Sequence, residues 1–376
     1  MSYSPFRHIG SVLWKHNPIH LTFFLTGRCN LRCPFCFYLS GDRGAKASTQ
    51  DKSDFRGPFS AQNNSTELSI DEIGKISSSL GKLLWLAFSG GEIFLRNDII
   101  EITKIFYERN KPAIILFPTN GLLTDVINEK IEAILKHCKK STIVIKLSLE
   151  GMEYLHDSIR GMKGSFQKTM QTYSALKELL EAYPNFELGI NTVFNSANQD
   201  HMDELIEFVS GLRGIKTHTV SLIRGNVSDI ELKNIEIGKY LKTINKLSSN
   251  LKRKSSSIYR FNGAKLKAAQ DILQRSLIYE TLEQKKQLIP CYAGRLNLVL
   301  TETGDVFPCE SFTGKMGNVR DNNYDLMRIL RNDEAQKILR SIQDRNCYCT
   351  HECYFMTNIL FNPFMYPALL REYAGL

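Results

Sequence analysis

The chain has 376 residues, 43% of them hydrophobic and 23% charged, and a formal net charge of +9. That size and apolar content support a large core, as one big domain with a smaller companion, while nine cysteines are too sparse for a secreted disulfide scaffold and point to a reducing, cytoplasmic compartment. No apolar run nears the roughly 18 residues of a membrane span, the N-terminus lacks signal or transit character, and the spread-out positive charge fits a solvated surface, an acidic partner or an anionic substrate rather than nucleic acid.

After an N-terminal extension over residues 1–19, a strand-then-helix unit recurs from residue 20 to 226. Apolar runs rich in Ile, Val, Leu and Phe mark strands at His20–Thr26, Leu83–Ser89, Ala113–Pro118, Thr142–Leu149, Glu187–Phe194 and Thr217–Ile223, as expected of strands covered on both faces. Helical periodicity lies between them, at Asp98–Asn110, Asp125–Cys138, Ser165–Tyr183 and Asp200–Leu212. Six such units predict a parallel α/β architecture, which the pattern leaves open as an open sheet or a partial barrel. The polar stretch Gly41–Glu67 breaks the rhythm and is too long for an ordinary loop; its composition predicts mobility, as filler or as a lid. Residues 227–284 read as a helical bridge, with Lys-rich patterns at Ile237–Leu251 and Ala264–Leu282 joined by Lys252-Arg253-Lys254. Over 285–376 the character changes to a strand pair (Asn297–Leu300 and Val306–Phe307), one helix and a cysteine cluster. The aromatic tail beyond Tyr354, interrupted by Pro363 and Pro367, is expected to dock on the protein.

Chemistry concentrates in the loop after the first strand, where Cys29, Cys33 and Cys36 stand in a Cys-x3-Cys-x2-Cys spacing. Thiolates suit zinc or iron–sulfur. A structural zinc site takes four ligands, usually as two close pairs, and no fourth Cys or His is near in sequence. Three cysteines can instead hold three irons of a [4Fe–4S] cluster and leave the fourth open. This loop resembles the signature of the radical S-adenosylmethionine superfamily, including the aromatic Phe35 before the last cysteine. The resemblance implies a partial (β/α)6 TIM-like barrel with its chemistry at the C-terminal strand ends. It also implies that S-adenosylmethionine chelates the open iron through its amino and carboxylate groups. An electron from an acidic donor such as flavodoxin or ferredoxin would pass through the cluster, and the 5′-deoxyadenosyl radical so made would abstract substrate hydrogen.

Gly90, Gly91 and Glu92 follow the second strand; the glycines let backbone approach a ligand closely. They resemble the family's motif for the methionyl amino group, with Ile93 where Pro is common. Asn120 sits in the turn Thr119-Asn120-Gly121, Ser148 ends the fourth strand, and Arg160 lies in His156-Asp157-Ser158-Ile159-Arg160-Gly161. The resemblance makes these further cofactor-binding positions, although Glu150 stands where the family more often has Asp. Arg160 suits a carboxylate because its guanidinium binds bidentately; a surface ion pair with Asp157 or Glu153 is the alternative. Asn191 and Arg224, at the ends of the fifth and sixth strands, are weaker candidates for the same pocket.

Cys291, Cys309, Cys347, Cys349 and Cys353 form the second constellation. Cys291, Gly304 and Cys309, followed by Gly317-Asn318-Val319-Arg320, resemble the opening of a SPASM/Twitch auxiliary-cluster domain. The later cysteines are fewer than a full SPASM domain carries. Five thiolates fully ligate one [4Fe–4S] cluster and not two, so one auxiliary cluster is expected, with Cys291 and Cys309 as the firmer ligands. Four thiolates would also hold zinc. His351, between two of these cysteines, reads as a surface residue, with a metal ligand as the alternative, and Cys138 as a small buried hydrophobe. The function expected is hydrogen abstraction from a sugar, lipid precursor or other metabolite, leading to oxidation, epimerisation or C–X bond formation. Peptide modification is the alternative, weakened by an N-terminal extension too short for a leader-binding module. A metal-dependent binding protein without turnover is the reading from another class, and the Gly-Gly-Glu placement speaks against it.

Overall fold

A computed structural model describes residues 5–39, 66–253, 258–311 and 314–376. The segment 41–67 lies outside these residues except for Thr66 and Glu67, as does Lys254 of the basic link. Six strands pair in parallel, each with the next: β1 (His20–Thr26), β2 (Trp85–Gly90), β3 (Ile114–Thr119), β4 (Thr142–Ser148), β5 (Phe186–Phe194) and β6 (Ile215–Leu222). All seven residues of β1 are buried, which is why it reads as a continuous apolar run rather than an alternation.

Helices Ile99–Asn110, Thr124–His137, Ser165–Ala182 and Met202–Gly211 carry the chain between strands, within a few residues of their expected ends. Where one helix was expected beyond residue 285, the described residues hold Leu326–Leu330, Asp333–Gln343, Glu352–Leu360 and Tyr366–Ala374. Between the strands two more helices escaped the sequence pattern. Ile70–Ser79 hides its Ile70, Ile73 and Ile76 stripe beside a serine run, yet opens with a capping box between Ser69 and Glu72. Glu153–Arg160 is short and polar and ends at Gly161 with φ of 68°.

The sheet does not stop at the sixth unit. β7 (Asn297–Leu300) lies parallel to β1 from His20↔Asn297 onward, and β8 (Asp305–Phe307) and β9 (Gly317–Asn318) follow antiparallel. The result is one nine-stranded sheet in the order β6-β5-β4-β3-β2-β1-β7-β8-β9. β6 pairs with β5 alone, so the barrel is partial. Helix Ala264–Gln284 presents Lys267, Asp271, Gln274, Arg275 and Ile278 to the barrel cavity; the spacing of three and four places them on one face. The C-terminal part is tied down again by Arg320, whose Nε lies 2.7 Å from Glu72, and by the Tyr324 hydroxyl donating to Glu72 at 3.1 Å. Tyr354, Phe355 and Phe361 of the aromatic tail are buried. Among the described residues no helix is long and apolar enough to cross a membrane.

Candidate active site at the C-terminal ends of the strands

The β1–β2 register shifts between Phe24 and Thr26, where β1 leaves the sheet for the cysteine loop. The Gly-Gly-Glu turn at the end of β2 is stitched to that loop. The Gly91 N–H donates to the Thr26 carbonyl at 2.8 Å and the Glu92 N–H to the Arg28 carbonyl at 2.9 Å. Gly90 has φ of +119°, and a Cβ on Gly91 would run into the Arg28 backbone and come 3.2 Å from the Cys29 Cβ. Two glycines are therefore required by the approach of the two loops themselves.

Glu92 is buried and fully engaged. It accepts from the Thr119 hydroxyl at 2.9 Å, the Asn120 N–H at 2.9 Å and the Phe94 N–H at 3.2 Å. Burial raises its pKa more than these donors lower it. Asn120 in turn donates from Nδ2 to the Asn30 side chain at 2.7 Å, tying the end of β3 to the cysteine loop.

Arg160 is not in a surface ion pair with Asp157 or Glu153. Its Nη2 lies 2.6 Å from buried Glu150, its Nη1 3.7 Å from the Cys33 sulfur, and its guanidinium stacks 5.2 Å from the Phe35 ring centroid. Asp157 is occupied by the Phe166 N–H and Ser165 hydroxyl at the start of the next helix. Burial lowers the Arg160 pKa, but Glu150 and Cys33 outweigh it and the net shift is upward. Burial pushes the Cys29 thiol up to about 11, and it raises Cys33 against the opposing charge of Arg160.

One cavity of about 490 Å³ gathers these groups. Cys29, Cys33, Phe35 and Cys36 line it from the loop, and Gly90, Gly91 and Glu92 from the turn after β2. Asn120, Ser148, Arg160, Asn191 and Arg224 line it from the later strand ends.

In the second cysteine group, Cys309 feels the charges of Cys349, Cys291 and Cys347, and Cys349 those of Cys291, Cys347 and Arg224. Cys353 acts on Arg224, His351 and Tyr354, the last also reached by Cys309, and lines the barrel cavity. His351 is a correction to the sequence reading: it is buried, with Nε2 2.7 Å from Glu310 and 2.8 Å from Arg224. Burial and Arg224 lower its pKa, but Glu310 and Cys353 prevail and hold it at about 9. Arg224 also lies 5.0 Å from the Phe37 ring centroid, so one arginine links the first cysteine loop to the second group. Sequence reasoning missed Glu310, which nothing in its neighbours marks as buried.

The donor sets suit polynuclear clusters. Cysteine thiolates are the usual ligands of iron–sulfur clusters. Burial raises the pKa values of these thiols, and a coordinating metal deprotonates a thiol outright.

Residues 23–209 match the Radical SAM superfamily and residues 291–354 match SPASM, an iron–sulfur cluster-binding domain. The AdoMet-dependent heme synthase of Methanosarcina barkeri is 26% identical over 328 residues, 83% of this chain and 84% of that protein. The antilisterial bacteriocin subtilosin biosynthesis protein AlbA of Bacillus subtilis is 31% identical over 164 residues, 43% of this chain and 31% of that protein. In fold, the chain is similar to anSMEcpe with bound AdoMet (TM-score 0.60, 16% identity, 96% of this chain and 100% of that one). It is also similar to Streptococcus suis SuiB bound to the precursor peptide SuiA (TM-score 0.57, 17% identity, 89% of this chain and 69% of that one).

Proposed function

Because the chain belongs to the radical S-adenosylmethionine superfamily and carries a SPASM iron–sulfur cluster-binding domain, we propose that it cleaves S-adenosylmethionine reductively and turns the radical on a small metabolite inside its barrel. The cofactors of such an enzyme are a [4Fe–4S] cluster and S-adenosylmethionine, and its SPASM domain binds auxiliary iron–sulfur. The cluster, when bound, supplies the electron that breaks the sulfonium bond.

Cys29, Cys33 and Cys36 hold that cluster. Glu92 fixes the ends of β2 and β3, so that the Gly90-Gly91 backbone and Asn120 present a rigid wall to the methionyl end of the cofactor. Arg160, clamped by Glu150 and stacked on Phe35, sets the position of the loop and lends positive charge beside Cys33. Cys291, Cys309, Cys347 and Cys349 would hold one auxiliary iron–sulfur cluster, which would supply an electron acceptor rather than a ligand for substrate. An acidic flavodoxin- or ferredoxin-like donor suits the net charge of +9.

The observation that carries this reading is the continuous cavity running from the cysteine loop into the barrel, at about 490 Å³ a size that suits a small molecule. Similarity over most of both chains to a heme synthase supports a metabolite. A second reading, modification of a ribosomally made peptide, is favoured by the 31% identity to AlbA. Anaerobically reconstituted, dithionite-reduced protein should convert S-adenosylmethionine to 5′-deoxyadenosine. Absence of that product in an iron-replete sample would overturn the proposal.

A further inference from the structure

The cavity has a floor that the proposed reaction leaves unused. Inward-facing positions alternate along β4, and Lys146 lies two residues before Ser148 at the strand end. That places it about 7 Å deeper, at about 3.3 Å per residue. Lys146 is 8% exposed. Its ammonium donates to the hydroxyl of Thr217 and, at 3.2 Å, to that of Thr219. The acidic groups that act on it are engaged elsewhere: Asp271 with Lys267, and Glu187 with the N–H of Arg260.

Two further cations face the same space. Lys267 and Arg275, on the helix that covers the open side of the barrel, both line the cavity and both act on Lys146. The Arg275 Nη1 is buried and has no hydrogen-bond partner among the described residues. His218 lines the floor as well, its Nε2 2.9 Å from the Thr192 hydroxyl and its pKa lowered by burial first and then by Lys146. The backbone makes room for the lysine, since a Cβ on Gly189 would stand 2.7 Å from its Nζ. Burial first, and then Lys267 and Arg275 against the opposing charge of Asp271, lower the Lys146 pKa to about 7, and an arriving anion favours its ammonium form.

We propose that Lys146 and Arg275 bind a carboxylate of the substrate at the floor of the barrel, holding the reacting carbon above it toward Cys29, Cys33 and Cys36. The inference rests on the proposed function and narrows its substrate to a carboxylic acid. Lys146, Lys216, Lys267 and Arg275 line this part of the cavity with Asp271, so positive charge predominates there, and the two oxygens of a carboxylate suit a paired lysine and arginine.

The test is anaerobic titration calorimetry of the reconstituted full chain with 3-phenylpropionate and its neutral amide, 3-phenylpropanamide, at neutral pH. The acid should bind at least about tenfold more tightly than the amide, as a charged hydrogen-bonded contact requires. That preference should vanish in Lys146→Met and shrink in Arg275→Gln. Equal affinity of the two probes for the wild type overturns the proposal, as does a preference that both substitutions leave intact. Tighter binding of phenyl phosphate than of the acid overturns the choice of carboxylate. Should Lys146→Met fail to fold, the wild-type comparison and Arg275→Gln decide. Cofactor cleavage by the same wild-type sample reports on the proposed function separately. Its absence beside an intact acid preference sinks that reading, and with it the substrate assignment; its presence without the preference sinks the floor alone.

Discussion

Arg160 touches three groups that the sequence holds far apart, Cys33, Phe35 and Glu150. Its pairing with Glu150 is buried, with side-chain exposures of 9% and 0%, so removing one partner strands the other. Arg160→Ala should cost about 3–5 kcal/mol in chemical denaturation, and adding Glu150→Ala should recover part of that loss. A single substitution costing no more than a surface ion pair would contradict the clamp. The thiols give a cleaner residue-level forecast. With two [4Fe–4S] clusters the chain should hold about eight irons, and changing Cys29, Cys33 and Cys36 to Ala should leave about four and abolish 5′-deoxyadenosine. Iron analysis beside product chromatography checks both. The spacing of these cysteines was legible because all three lie on one short loop. Arg160's partner was not, because Glu150 belongs to the preceding strand end, after β4, and the alternatives Asp157 and Glu153 are closer in sequence.

At the scale of elements, β7 matters most. It covers the edge of β1, a strand buried along its whole length, with a ladder made by backbone rather than by thiols. Truncation before residue 285 should therefore expose an apolar strand edge and give aggregated protein. The double change Cys291→Ala and Cys309→Ala should instead stay soluble, lose about half the iron and still cleave S-adenosylmethionine. Light scattering, iron content and product formation separate the two. A soluble, cofactor-cleaving truncation would show that β1 tolerates an open edge. The hairpin strands themselves were visible as short apolar runs around Thr303-Gly304-Asp305. Their parallel docking on β1 was not, since strand partners far apart in the chain leave no mark on local periodicity.

The whole molecule buries more ionisable groups than its composition suggests. His20, His156 and His218 all have pKa values lowered from 6.5 to about 3, with burial the largest cause in each. Above pH 6.5 these rings are neutral folded or unfolded and contribute no slope. Below it the unfolded chain takes up protons that the folded one refuses, so stability falls as pH drops, by up to about 1.4 kcal/mol per unit for each ring until its folded pKa is reached. Urea midpoints between pH 7 and pH 5.5 should show that decline, and His20→Asn should make it shallower by about one proton. A pH-independent midpoint over that range would mean that these rings are solvated. Lys146 belongs to the same picture, and its signal was present but unread: a lone lysine among Ile and Val, at a position that alternates with Val144 and Ser148.

The sequence by itself determined the six strands and four of the helices between them, the cysteine loop and the Gly-Gly-Glu turn, because apolar periodicity and short spacings are local properties that survive without a partner. Only the tertiary structure decided that Cys353 lines the barrel cavity beside Arg224 and buried His351. It also decided that helix Ala264–Gln284 supplies the wall that the six strands lack. These are outcomes of burial, where a polar or charged group must find its partner wherever the packed chain places one.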